Sequence, residues 1–124
     1  MMQVIRWFLS LEAAAFGGAA LVHAGVVVHG YEHSKAAAAE SVIGLVLLCA
    51  LFASVVAPRS SRAIALAGQS FALLGTLVGV FTIAIGVGPR SAFDIALHVG
   101  LVASLVAGLL LVARGRVGTP ASPA

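Results

Sequence analysis

Charge is nearly missing from this chain, which carries seven Lys and Arg and four Asp and Glu among 124 residues. Charged residues make up 9% of it, against roughly 25% in soluble globular domains, so that class is excluded. Cysteine is represented once, by Cys49, which rules out a disulfide within the chain and leaves the redox compartment unreported. Lying in an apolar run, Cys49 is expected to be a small buried hydrophobe. Aromatic residues are few, with one Trp and one Tyr. No groove of interleaved aromatic and basic residues results, so nucleic acid is not an expected partner. Strict apolar–polar alternation is also missing, which argues against a membrane barrel. No nucleophile with a partnered base, phosphate loop or cofactor fingerprint is present, and neither CxxC nor HExxH occurs. A binding or accessory role is therefore expected rather than an enzyme.

What fills the space is apolar. Hydrophobic residues account for 61% of the chain and mean hydropathy is +1.15. A helix that crosses a bilayer takes about 20 residues, so four spans with short connections nearly exhaust the length. They are read at about 4–28, 37–57, 63–87 and 92–113, within one transmembrane domain at 1–117. Pro58 ends the second and Gly86-Val87-Gly88-Pro89 the third, because proline lacks an amide donor and restricts the residue before it. The segment 118–124, Gly-Thr-Pro-Ala-Ser-Pro-Ala, reads as a disordered tail. The first span has the Arg6 and small residues of a cleaved signal. Glu12 interrupts its apolar run, however, and no clean small-x-small site ends it, so this helix is expected to be retained.

Positive residues set the expected orientation. Arg6, Arg59, Arg62, Arg114 and Arg116 fall to one side of the spans and Lys35 and Arg90 to the other. The positive-inside rule then places both termini in the cytoplasm of a bacterial inner (cell) membrane, with the first and third loops periplasmic. The pI near 10.0 follows from this bias. Short loops make successive helices antiparallel, giving an all-α, up-down-up-down bundle of four transmembrane helices in which the first lies beside the fourth. Gly75 and Gly79 in the third span, and Gly100, Ser104 and Gly108 in the fourth, recur every four residues and allow close helix packing. Gly17, Gly18 and Gly25 offer the same in the first span. Such contacts serve the bundle, a homo-oligomer or a larger membrane complex equally well.

Ionisable residues within apolar spans are costly and mark candidate sites. His23 lies about five residues inside the outer end of the first span and His98 about six inside that of the fourth, so at 1.5 Å per residue their depths match. Asp94 is one helical turn before His98, placed to orient that imidazole or to share a ligand with it. The first loop, His29-Gly30-Tyr31-Glu32-His33, adds histidines four apart, a chelating pair if helical. Ser34 is placed to cap the second helix, whose alanine-rich opening brings Glu40 to a similar depth. Several chemistries fit this set. It can be a hydrogen-bonded network joining the outer helix ends. It can hold a transition metal through His23, His98 and Asp94, with His29, Glu32, His33 or Glu40 as further ligands. His23 and His98 can be the axial ligands of a b-type haem, or the pair can handle protons for a quinone or a carrier.

Glu12 belongs to the opposite half, about six residues inside the cytoplasmic end, and Gln69 matches its depth in the third span. The two form a candidate hydrogen-bonded polar pair. Glu12, Phe16, Ala19 and His23 share one stripe, which sets Glu12 and His23 about 16 Å apart on one face. Thr76 follows Gln69 by a heptad, so a polar path between the two faces is conceivable. In its membrane-embedded Glu12 within the first of four short spans, the chain resembles the small multidrug-resistance transporters, which implies proton-coupled exchange at that carboxylate. The aromatic-rich third helix of those transporters is absent, and the charge bias departs from the dual topology of many of them. Small fluoride channels match in size, but their phenylalanine-containing polar motif is not found in the third span. Glu12 and Gln69, like Gly18 and Gly75, are 57 residues apart, a sparse sign of a parallel repeat between the two hairpins.

Overall fold

A computed structural model describes residues 1–115, so the expected tail at 118–124 and Arg116 lie outside the described residues. Four long helices account for almost all of it: α1 (Met2–His23), α2 (Ser34–Val56), α3 (Ser61–Ala84) and α4 (Ala92–Arg114). A single 3-10 turn, Pro58–Ser60, joins α2 to α3. All four helices are long and apolar enough to cross a membrane, and among the described residues there is no strand. Contacts at the two ends show α1 and α2 running antiparallel, and Arg62 at the start of α3 likewise reaches the Val112 carbonyl near the end of α4. The C-terminal turn of α1 meets the start of α2 through His23 and Glu40, while Arg6 near the start of α1 reaches the Ser54 carbonyl near the end of α2.

Local chemistry explains where each helix stops. The first and third end sooner than their apolar runs, at His23 and Ala84 rather than near 28 and 87. In each case a glycine adopts the left-handed region, Gly25 at φ 71° and Gly86 at φ 82°. Around Gly25 the amides of Gly25 and Val26 return to the carbonyls of Val22 and Leu21, and around Gly86 those of Gly86 and Val87 return to Ile83 and Thr82. Both helices thus finish in the same glycine-based cap, which satisfies the last carbonyls and turns the chain. These caps are 61 residues apart, 86 minus 25, not 57, so no constant offset relates the two hairpins. Helix α2 is capped by His33, not Ser34, its Nδ1 accepting from the Ala36 amide at 3.2 Å. At the other end, Ala57 before Pro58 leaves helical geometry, as the proline ring requires. Ser91 and Asp94 form a reciprocal capping box at the start of α4.

Polarity in this bundle is inverted relative to a soluble one. Trp7 is 75% exposed and Phe52 71%, whereas Glu12 is 1% and Gln69 0% exposed. An apolar exterior over a polar-containing interior is the arrangement that suits lipid as solvent. Cys49 faces outward, correcting the expectation of a buried position. The apolar core is built around Leu9, Phe16, Leu47, Ala65, Ala72 and Leu105. Small residues let backbones approach: a Cβ on Gly44 would sit 3.5 Å from the Gly17 amide nitrogen, and one on Gly68 would sit 2.9 Å from Ala50 Cβ. Gly75 faces Ile43, Gly79 faces His98, and Gly108 lies against Gln69, Glu12 and Phe8. Gly100 is different, with nothing within 4 Å, so the α4 stripe packs inside the bundle only at its Gly108 end.

Candidate functional site

Two polar layers lie within the bundle, one near each end. The layer at the histidine end is centred on His23, which is 1% exposed. Its Nδ1 is 2.7 Å from Glu40 Oε2 and its Nε2 is 2.8 Å from Asp94 Oδ1. Three helices thereby meet on one imidazole. Asp94 is fixed in turn by the start of α4: its Oδ2 accepts from the Ser91 amide at 2.8 Å and from the Ser91 hydroxyl. The backbone holds His23 as well, because the His33 amide donates to the His23 carbonyl at 2.8 Å.

Both carboxylates can only accept when ionised, so an imidazole between them is satisfied as a doubly donating imidazolium or as a neutral ring beside one protonated carboxyl. Either form contains two protons and one net negative charge. The group is thus a continuous chain for a proton: Glu40, His23, Asp94, Ser91. It also commits His23 fully. Each ring nitrogen faces an acidic oxygen, which leaves no lone pair for a metal or a haem iron. Among the described residues no group of three or more His, Cys, Asp or Glu is disposed to hold a metal ion.

His98 is differently placed from the expectation that it would pair with His23 and the Asp94 side chain. Its Nδ1 donates to the Asp94 carbonyl at 2.8 Å. That carbonyl only accepts, so Nδ1 carries a proton and Nε2 lies on the far side of the ring. This nitrogen lies where a Cβ on Gly79 would be 2.9 Å away. Glycine at 79 therefore leaves open the space in front of the imidazole.

That space belongs to a cleft of about 170 Å³. Phe16, Ile43, Val78 and Leu101 supply apolar walls, Gly88 and Pro89 line it too, and Glu40, His98, Thr76 and Thr82 are among its polar lining residues. His33 and Lys35 also line it. Glu40 has one oxygen sealed off behind this cleft. The residue is 5% exposed, and its second oxygen, Oε1, is buried with no hydrogen-bond partner. Buried polar atoms without partners are rare, and each calls for an explanation.

The first loop does not form the helical chelating turn. His29 Nδ1 pairs with Glu32 Oε1 at 3.3 Å and the Gly30 amide donates to Glu32 Oε2 at 2.7 Å. Hydrogen bonds from its own amide and from that of Gly30 hold the exposed Glu32 carboxyl below its ordinary range. Tyr31 meets Phe93 edge-on at 5.4 Å between ring centroids, docking this loop on the start of α4. His29 and Glu32 are thus apart from the His23 layer, and His33 is turned to capping.

At the other end, Gln69 Nε2 donates to both oxygens of Glu12, at 3.1 and 2.9 Å. Gly108 backs directly onto this pair. Nearby, Arg6 and the Ser61 hydroxyl share the Ser54 carbonyl, and Arg62 covers the last carbonyls of α4, Val112 and Ala113. Between the layers the interior is apolar, occupied by Phe16, Ile43, Leu47, Leu101 and Leu105. Thr76 bonds back to the Ala72 carbonyl of its own helix. No polar side chain other than Thr76 is buried between the layers on these helices.

Sequence reasoning underrated Glu40 and missed the orphaned oxygen and the cleft. Ser91-Ala92-Phe93-Asp94 was a readable signal, a capping box that draws the Asp94 side chain back to the helix start. Comparison with known proteins adds nothing further, since no family, curated protein or solved structure matches this chain.

Proposed function

We propose that this chain is a non-enzymatic, four-span protein of a bacterial inner membrane that binds a small ligand in the cleft beside His98 and Glu40. The observation that carries the reading is a cleft walled mostly by apolar side chains, with Glu40 and His98 among its few polar lining residues and Gly79 leaving open the space before His98 Nε2. Ligand pockets have this composition, largely apolar with a few placed polar groups. The arginine bias supports both termini in the cytoplasm, which puts the cleft toward the periplasm. A metal or b-type haem shared by His23 and His98 is less well supported, because His23 is committed to its two carboxylates. Carriage through Glu12 lacks a polar path to the other layer.

Purification in a mild detergent, followed by mass spectrometry of extracted small molecules, elemental analysis and an absorption spectrum, tests this reading. A near-stoichiometric organic ligand that is lost in Gly79→Ala supports it. A Soret band, or a stoichiometric metal lost in His98→Ala, replaces the organic ligand with haem or metal. Orientation is tested separately in a Cys49→Ser background with single cysteines at positions 35 and 59. Position 35 should react with a membrane-impermeant maleimide in spheroplasts and position 59 only after lysis.

A further inference from the structure

We infer that the cleft seats one acyl chain of an anionic phospholipid from the leaflet at the histidine end, with the lipid phosphate at the cleft mouth beside Lys35 and His33. The inference rests on the cleft reading above and names its occupant. The interior comes first. Thr76 and Thr82 line it, but their hydroxyl protons go to the carbonyls of Ala72 and Gly79. Glu40 uses Oε2 toward His23, and its Oε1 is buried away from the cleft surface. His98 spends Nδ1 on the Asp94 carbonyl of its own helix. With Phe16, Ile43 and Leu101 as walls, the surface on offer is mainly carbon, and a polar solute would lose its hydration there without replacement. Hydrocarbon suits it.

Position then selects a lipid chain over a free apolar molecule. Along α2 the lining runs from Lys35 to Ile43, eight residues and so about 12 Å at 1.5 Å per residue. Half of a ~30 Å hydrocarbon core is ~15 Å, so the cleft follows the course of a chain within one leaflet. It also opens sideways. Ala39 on α2 and Val78 on α3 both line it and are both exposed, Val78 at 62%, on helices whose outer faces are apolar. A chain can therefore enter from the bilayer without crossing water. The volume of about 170 Å³, near the ~150 Å³ that holds the six carbons of benzene, admits a stretch of one chain and excludes a second chain or a fused-ring lipid. The mouth has the opposite chemistry. Lys35 is exposed there. The Ala36 amide donates to His33 Nδ1, which places that ring's proton on Nε2 and makes it a donor. Glu32, the acidic residue nearest in sequence, is taken up by His29 and the Gly30 amide. Donors above an apolar channel match a phosphate above its chain.

Native mass spectrometry of the protein released from nanodiscs of equal parts phosphatidylglycerol and phosphatidylcholine provides the test. One phospholipid should remain bound per chain, with phosphatidylglycerol favoured roughly 5-fold, the factor that one cation near an anionic lipid surface supplies. Lys35→Ala should abolish the preference and keep a bound lipid. Ala39→Trp, which blocks the sideways opening, should lose the lipid, whereas Leu45→Trp, equally exposed but outside the cleft, should not. Oleate added to the nanodiscs at the same fraction should not displace the phospholipid. Equal retention of the two phospholipids, a preference unmoved by Lys35→Ala, or retention of oleate instead overturns the inference. So does a copurified non-lipid molecule that is lost in Gly79→Ala, an outcome that leaves the cleft reading standing. If the wild type retains no molecule of any kind, the cleft reading falls as well.

Discussion

Replacing His23 by leucine removes the one group that serves two buried carboxyls, and the consequences should be unequal on its two sides. Asp94 keeps the amide and hydroxyl of Ser91 on Oδ2. Glu40 loses the partner of Oε2 while Oε1 already has none, so its whole head group is left buried and unbonded. Removing one partner of a buried pair costs about 3–5 kcal/mol in water-soluble proteins. Interhelical hydrogen bonds in membrane proteins average ~0.6 kcal/mol, because the unfolded state in the membrane also finds partners. A carboxyl stranded at 5% exposure lies toward the first figure, so His23→Leu should destabilise the protein by about 3 kcal/mol. Most of that should be Glu40's share. With Glu40→Leu alone costing about 2 kcal/mol, the double variant His23→Leu/Glu40→Leu should then be no less stable than His23→Leu alone, which makes the coupling about 2 kcal/mol. Reversible unfolding in mixed detergent micelles, titrated with sodium dodecyl sulfate, measures the three free energies. Additivity within ~0.5 kcal/mol would refute the view that Glu40 is held in the interior by His23.

Three further outcomes follow from the packing and the caps. Gly108→Ala should cost about 1–3 kcal/mol by overpacking, since its Cβ would press on Glu12 Oε1 at 2.9 Å and on Gln69. The same substitution in a Gln69→Ala background should cost less in the same micelle titration. Gly25→Ala should cost about 1–2 kcal/mol for the left-handed conformation alone, and more than Gly86→Ala, because a Cβ at 25 also meets Glu32 Cγ at 2.8 Å. Equal losses at the two positions would dismiss that contact. Glu32, whose carboxyl is held low by backbone amides, should titrate below 4.5 by NMR. A carboxyl lowered in the folded state stabilises it above the unfolded pKa and loses that contribution as pH falls through the folded value. The order of the 24–33 loop should therefore weaken on acidification below pH 4.5, and Glu32→Gln should remove the dependence.

Much of the architecture was legible because lipid imposes simple rules. Four apolar runs of spanning length and short connections leave few alternatives to a four-helix bundle. Helix ends were less legible, since hydropathy runs on through Val26, Val27 and Val28 whereas the helix stops at a glycine that needs φ above zero. Depth was also countable, and counting put His23 and His98 at one level and Glu12 and Gln69 at another. Azimuth was not. Which face of α2 turns inward depends on packing around Gly44 and Ile43, and that packing gives Glu40 its direct bond to His23. Likewise, the choice of Asp94 between His98 and His23 is decided by Ser91, which ties one carboxylate oxygen and aims the other across the bundle.

The two layers differ in a way that separates a strut from a site. Each contains one orphaned oxygen, Gln69 Oε1 and Glu40 Oε1. Around Gln69 the bundle is closed, with Gly108 pressed against the fully buried pair. A polar pair of that kind joins α1 to α3 and specifies how they meet, at the cost of one unbonded atom. Beside Glu40 the bundle opens into a cleft, and glycine at 79 leaves free the space in front of His98. The same shortage of charge that marks the chain as a membrane protein thus concentrates its chemistry at one end, where three helices converge on the His23 imidazole beside an apolar-walled cleft.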